Sequence, residues 1–185
     1  MIEVNVNRDD VDRALNLLRS TPKRAQTAVN RAINRALMRG RTVASKALRE
    51  GYTVKSGDVK AATRLMRPGG AEISGRLIFR GSSLSMAHFR YKPFGRDTTG
   101  SNRRQVSVEV KRTGLKPLKN AFVYNGTVFQ RKGASRLPIE PKWGPSIPKM
   151  VGDERLVELI QSEMGDTFER RIVHESQRIF EQRKK

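Results

Sequence analysis

The sequence predicts an α+β fold, and three observations carry that reading. Apolar residues recur at the helical period near the start of the chain and again near its end. Between those stretches the period drops to two, the mark of half-buried strands. A proline-rich run then separates the strands from the last helix. With 185 residues the chain suffices for one domain with its own core. The expected order is N-terminal helices over 8–50, a small antiparallel sheet over 71–131 with a basic loop at 88–105, a proline-rich arm over 133–150 and a C-terminal helix over 153–182.

Val11, Leu15 and Leu18 predict a short helix over 8–19, ended by Ser20-Thr21-Pro22. Thr21 suits an N-cap and Pro22 a first helical position. Ala25, Ala28, Val29, Ala32, Ile33, Ala36 and Leu37, then Val43, Ala44, Ala47 and Leu48, form one stripe that runs past Gly40. The opposite face carries Arg24, Arg31, Arg35, Arg41, Lys46 and Arg49. So much alanine lets a neighbour approach closely. The first reading of this neighbour is the chain's own core, the second an adjacent subunit. Gly51-Tyr52 ends the long helix, and Ser56 is placed to cap a short helical segment from Asp58 to Leu65.

Ile73, Gly75, Leu77 and Phe79 then alternate with mostly polar residues, which predicts a first strand up to Arg80. Val106, Val108 and Val110 alternate with Ser107, Glu109 and Lys111 in a second, over Gln105–Arg112. The third covers Ala121–Phe129 and bends at Asn125-Gly126, a pair that favours a two-residue hairpin. His88–Gln105 has no periodicity and reads as a basic loop. Pro138, Pro141, Pro145 and Pro148 exclude helix interior and central strand and predict an extended, stiff arm. Asp153 opens the last helix, whose apolar face is Leu156, Ile160, Met164, Phe168, Ile172 and Ile179.

Charge bounds the function. The 38 basic and 18 acidic residues give a formal net charge of +20. Residues 51–150 hold 20 basic and 5 acidic side chains, a surplus of +15, while residues 151–185 balance at −1. Such self-repulsion calls for a polyanion or an acidic protein surface as partner. The chain has no cysteine, which excludes a disulfide scaffold and thiolate zinc sites. Met1–Asn5 lacks the pattern of a signal peptide, and no apolar run reaches the length of a membrane span, so no membrane partner is expected.

The two histidines, His88 and His174, lack metal-binding spacing, and no nucleophile elbow or phosphate loop is present. Asp58, Glu72, Asp97, Glu109 and Glu140 stand apart in sequence. No catalytic residue, cofactor or metal is expected. Arg90, Lys92, Arg96, Arg103, Arg104, Lys111 and Arg112 are the candidate contacts to DNA or to an acidic partner. Pro138, Trp143, Pro145, Ile147 and Pro148 form the candidate inter-subunit arm. Phe89, Tyr91 and Phe94 interleave with cations, which suits either stacking on bases or anchoring the loop to the core.

Several of these segments follow one another in a telling order. Ala28-Val29-Asn30-Arg31-Ala32-Ile33-Asn34-Arg35-Ala36 comes first, then Tyr52-Thr53-Val54-Lys55 through Arg64-Leu65. Phe129-Gln130-Arg131-Lys132, Leu137-Pro138-Ile139 and Trp143-Gly144-Pro145-Ser146-Ile147-Pro148-Lys149-Met150 come next. Over roughly residues 22–180 the chain resembles the prophage minor tail protein Z family, with Gly144–Pro148 as the most specific piece. The resemblance implies a virion protein, made in the host cytoplasm, that acts at the head-proximal end of the tail in tail completion and head–tail joining. It implies a homo-oligomer, a hexameric ring, held among other tail and connector proteins, with nonspecific contact to packaged DNA. The alternative from another class is a nonspecific nucleic-acid-binding protein that works through the central basic segment.

Overall fold

A computed structural model of the chain describes residues 1–17, 22–69, 73–93 and 106–181. The chain begins with β1 (Ile2–Asn5), α1 (Arg8–Leu17), α2 (Pro22–Gly51) and α3 (Ser56–Ala61). Strands β2 (Thr63–Met66) and β3 (Arg76–Phe79) lead to a 3-10 turn at Met86–His88. Then come β4 (Arg90–Pro93), β5 (Val106–Glu109), β6 (Lys116–Leu118), β7 (Ala121–Tyr124), β8 (Thr127–Arg131) and β9 (Ile139–Pro141). Helices α4 (Ile147–Val151) and α5 (Glu154–Glu181) complete it. The class is α+β, with a long helix toward each end.

Helix α2 is long because its first position is proline, its stripe is alanine-rich and its polar face is charged throughout. Ala28, Val29, Ala32, Ile33, Ala36, Leu37, Ala44 and Leu48 are all buried. Their cover comes from the same chain. Helix α5 lies antiparallel along α2, as two ion pairs of opposite order record: Arg31–Glu175 at 3.3 Å and Arg39–Glu163 at 2.8 Å. The small side chains bring the two backbones close: a Cβ added at Gly40 would stand 2.5 Å from Met164 Sδ. Ile160, Met164 and Phe168 of α5 fill the seam. Helix α5 is entered through Asp153, whose carbonyl accepts from Leu156 and Val157 and whose carboxylate accepts from Arg155 N.

The strands form three antiparallel sheets of three strands, in the orders β1-β3-β2, β4-β5-β6 and β7-β8-β9. The first packs on the helices: Val4, Leu77 and Phe79 are buried with the α2 stripe. At its edge Gly75 comes so close to α2 that a Cβ there would meet Ile33 Cγ2 at 2.4 Å and Leu37 Cδ1 at 3.1 Å. Asn125-Gly126 makes the expected hairpin between β7 and β8, with both residues at positive φ, 44° and 70°.

Several expectations need correction. One small sheet over 71–131 is in fact three, and one of them begins at Ile2, ahead of the first helix. The helical segment expected to reach Leu65 stops at Ala61 and becomes β2, which β3 recruits by register pairing Thr63 with Phe79. Ser56 does not cap α3; Lys55 occupies the N-cap without a side-chain bond. The strand expected from Ile73 is confined to Arg76–Phe79, and the one expected over Gln105–Arg112 to Val106–Glu109. Residues 90–93 of the expected basic loop are strand, paired with β5, and 94–105 lie outside the described residues.

The proline-rich segment is not a free arm. Residues 139–141 join β8 as an edge strand, Trp143 bridges Ser85, and Ile147 and Pro148 are buried in the first turn of α4. Proline tolerates those places because an edge strand and a first helical turn need no N–H there.

Gly75→Ala is expected to destabilise the fold by about 1–3 kcal/mol through overpacking against Ile33 and Leu37. Gly57→Ala, in open space on α3, should stabilise it by about 0.5–1 kcal/mol. Thermal melts of the two variants check the pair of signs.

Candidate functional site

The β7–β8–β9 sheet has two faces of different character. Antiparallel register puts opposed residues on one side, and alternate residues of a strand on opposite sides. Val123 pairs with Val128 and Ala121 with Gln130; Ala121, Val123 and Val128 pack into the core. The other side carries the pairs Phe122–Phe129, Tyr124–Thr127, Phe129–Pro141 and Arg131–Ile139, and Trp143 extends the row two residues past Pro141. None of these residues belongs to the buried clusters or packs against them.

This outer face is an aromatic platform. Phe122 and Phe129 stack with ring centroids 6.0 Å apart and planes 23° from parallel. The Arg131 guanidinium lies 5.3 Å above the Phe122 ring. Tyr124 is 64% exposed, Trp143 56% and Ile139 39%, and Leu137 stands beside them at 67%. Aromatic residues with an arginine on one exposed sheet face are the composition of binding hot spots, not of an ordinary solvated surface. Cations rim the platform: Arg136 and Lys142, with Lys132 paired to Glu140 at 2.6 Å. Arg131 Nε is enclosed and has no acceptor among the described residues.

Four of the seven basic candidates are described, and two of them serve the fold. Arg90 pairs with Glu109 at 3.2 Å, and the other Glu109 oxygen accepts from Gly114 N at 3.0 Å. The Glu109 side chain is only 9% exposed, so this carboxylate is a structural acceptor between β4, β5 and the following turn. Thr53 ties the same place to the end of α2: its hydroxyl donates to Glu109 O and accepts from Arg90 N. Arg112 Nε donates to Arg49 O at 2.7 Å, and Arg112 N to Gly51 O, so this residue caps the negative end of α2. Lys92 and Lys111 are exposed beside them. Arg96, Arg103 and Arg104 lie outside the described residues.

Among the arm candidates, Trp143 belongs to the aromatic face, Pro138 and Pro145 flank it, and Ile147 and Pro148 are core. Phe89 is buried too. A Cβ at Gly144 would touch its ring at 2.5 Å, which makes Phe89 an anchor of the proline-rich segment and removes it from base stacking. Phe122, Tyr124, Phe129 and Ile139 are missing from the sequence-based candidates. The signal for them was the Asn125-Gly126 turn, which sets the register that collects them.

A second feature is an open polar cleft of about 750 Å³ between β1, α1, the start of β3 and the middle of α5. Glu3, Asp10, Asp166 and Glu169 line it, against Arg8 and Arg76. No group of histidines and carboxylates suited to a metal ion occurs among the described residues. No helix among them is long and apolar enough to cross a membrane. Compared with protein-family models, curated proteins and solved structures, the chain matches none.

Tyr124→Ser with Trp143→Ser should leave the melting temperature nearly unchanged, because neither side chain packs on the core, yet reduce binding of a hydrophobic dye. Glu109→Ala should cost about 1–3 kcal/mol by stranding Gly114 N–H and Arg90, visible as a fall of several degrees.

Proposed function

We propose that this chain is a structural component of a phage tail, acting at the head-proximal end in tail completion and head–tail joining. It holds neighbours in place and turns nothing over. It works as a ring, hexameric to match the tail, with other tail and connector proteins as partners. Its place is the virion, after assembly in the host cytoplasm.

One observation carries the reading: the exposed aromatic face of the β7–β8–β9 sheet, a docking surface built on a rigid hairpin and set in a cationic rim. Burying such a face against a protein neighbour yields more than leaving it in water, at about 25 cal/mol for each Å² of apolar surface. The segments that resemble the tail protein Z family contribute to it directly, through Phe129, Arg131, Ile139 and Trp143. The charge balance agrees with an assembly role. In the central segment the described carboxylates are Asp58, Glu109 and Glu140, and each is held by a cation of this chain. Most of the surplus is therefore left for partners.

The second reading, nonspecific nucleic-acid binding, is favoured by the same surplus and by the aromatic platform, on which bases stack. It predicts duplex or single-strand binding by the isolated chain with a salt slope of several released ions.

Particles assembled without this chain should contain complete heads and complete tails that join poorly. Quantitative mass spectrometry of purified virions should give six copies, or a multiple, per particle. Normal infectivity without the chain, or its absence from virions, overturns the tail reading.

A further inference from the structure

We propose that the aromatic face of one copy docks on the acidic cleft side of a second copy of this chain, head to tail. The inference deepens the ring reading above and rests on it. It names the two surfaces that meet.

The argument starts from charge. Residues 116–149, which include the aromatic sheet, carry seven basic side chains and one acidic. Residues 153–169, the first half of α5, carry six acidic and one basic. The cleft adds Glu3 and Asp10 to Asp166 and Glu169 from that half of α5. Within a chain of net charge +20, the carboxylates are thus gathered away from the aromatic sheet. Cleft and platform share no residue.

Symmetry follows from the same facts. A two-fold contact through the platform would set Arg131, Arg136 and Lys142 against their own copies. Like charges facing each other repel, so the self-complementary dimer is disfavoured. A contact between two different surfaces is heterologous, and repeated it closes into a ring or runs on as a filament. The acceptor side also offers an apolar foothold: Leu159, 46% exposed, lies one turn before Ser162 of the cleft. Incoming carboxylates supply what Arg131 lacks, since a small swing of its guanidinium gives the unpartnered Nε an acceptor.

Size sets the regime. Three strands spaced about 4.8 Å apart and four or five residues long give a platform of roughly 200 Å². A stable pair buries roughly 800 Å² on each partner. A single contact is therefore weak and dependent on concentration and salt, and ring closure adds the rest.

The chain has one tryptophan, Trp143, and it sits on the platform, so its emission reports occupancy. Sedimentation velocity and tryptophan emission are measured on the full chain over rising concentration, at low and high salt. Two variants are compared, Lys132→Glu/Lys142→Glu on the sheet and Asp166→Lys/Glu169→Lys at the cleft, each with circular dichroism as the check of folding. The expected result is salt-sensitive oligomers larger than a dimer, with a blue shift of emission. Each variant alone should associate at least tenfold more weakly. An equimolar mixture should recover assembly, because every sheet then finds a cleft of opposite sign.

Folded variants whose mixture stays monomeric overturn the proposal. So does a wild-type chain that is monomeric throughout, or a Tyr124→Ser/Trp143→Ser chain that assembles normally. Binding of single-stranded DNA that those two substitutions abolish, without self-association, overturns it in favour of nucleic acid. The tail reading fails separately, on virion copy number: six copies per particle with no self-association would leave that reading standing and place the ring contact elsewhere.

Discussion

Close packing of α5 on the small-residue stripe of α2 is the constraint on which the rest of the molecule depends. Alanine at positions 28, 32, 36 and 44 and glycine at position 40 allow the approach, and Met164 and Phe168 fill what remains. Dense packing of this kind leaves no tolerance for an added methylene. It also decides what faces outward. With α2 closed by α5 and by the β1–β3–β2 sheet, the other two sheets share only one face each with the core. The outer face of β7–β8–β9 is thereby left without cover from this chain.

The electrostatics follow a matching division. Ion pairs between α2 and α5 neutralise part of the helical arginine, while Asp58, Glu109 and Glu140 are taken up inside the strand region by His88, Arg90 and Lys132. Arg112 spends its charge on the carbonyl end of α2. Position in the fold, not sequence density, therefore separates structural cations from available ones. Arg90 and Arg112 sit in the most basic stretch of the chain and yet serve the fold, whereas Arg136 and Lys142, in a stretch that reads as a proline arm, rim the docking face.

The legible parts of the sequence were those governed by local rules. Pro22, the alanine stripe and the 3.6-residue period of Leu156 to Ile179 gave both long helices to within a few residues, and Asn125-Gly126 gave the hairpin. The short strands were not legible. Ile2–Asn5, Thr63–Met66 and Lys116–Leu118 are three or four residues each, and tertiary pairing makes them strands. The aromatic face was hidden for a related reason. Along Ala121-Phe122-Val123-Tyr124 every residue is apolar or aromatic, so alternation does not mark which side is inward. Only the register with Thr127–Arg131 and Ile139–Pro141 separates Val123, which meets the core, from Phe122 and Tyr124, which meet solvent.

Strand β9 explains why a partner meets the face of this sheet and not its edge. Lys132 N donates to Pro138 O, and Lys142 N to Val128 O, so the backbone groups of 138, 140 and 142 turn toward β8. Ile139 and Pro141 turn theirs outward, and Pro141 has no N–H to offer. An incoming strand would find one donor along the whole outer edge, too few to form a ladder. Past Pro141 the chain is occupied as well, by the bonds from Met86 N to Lys142 O and from Gly144 N to Leu84 O. Proline thus closes the route that leads to uncontrolled edge-to-edge stacking, while the side chains it aligns remain free to be covered. A surface that accepts side chains but refuses backbone is specific for shape and charge, which is what an assembly of fixed geometry requires.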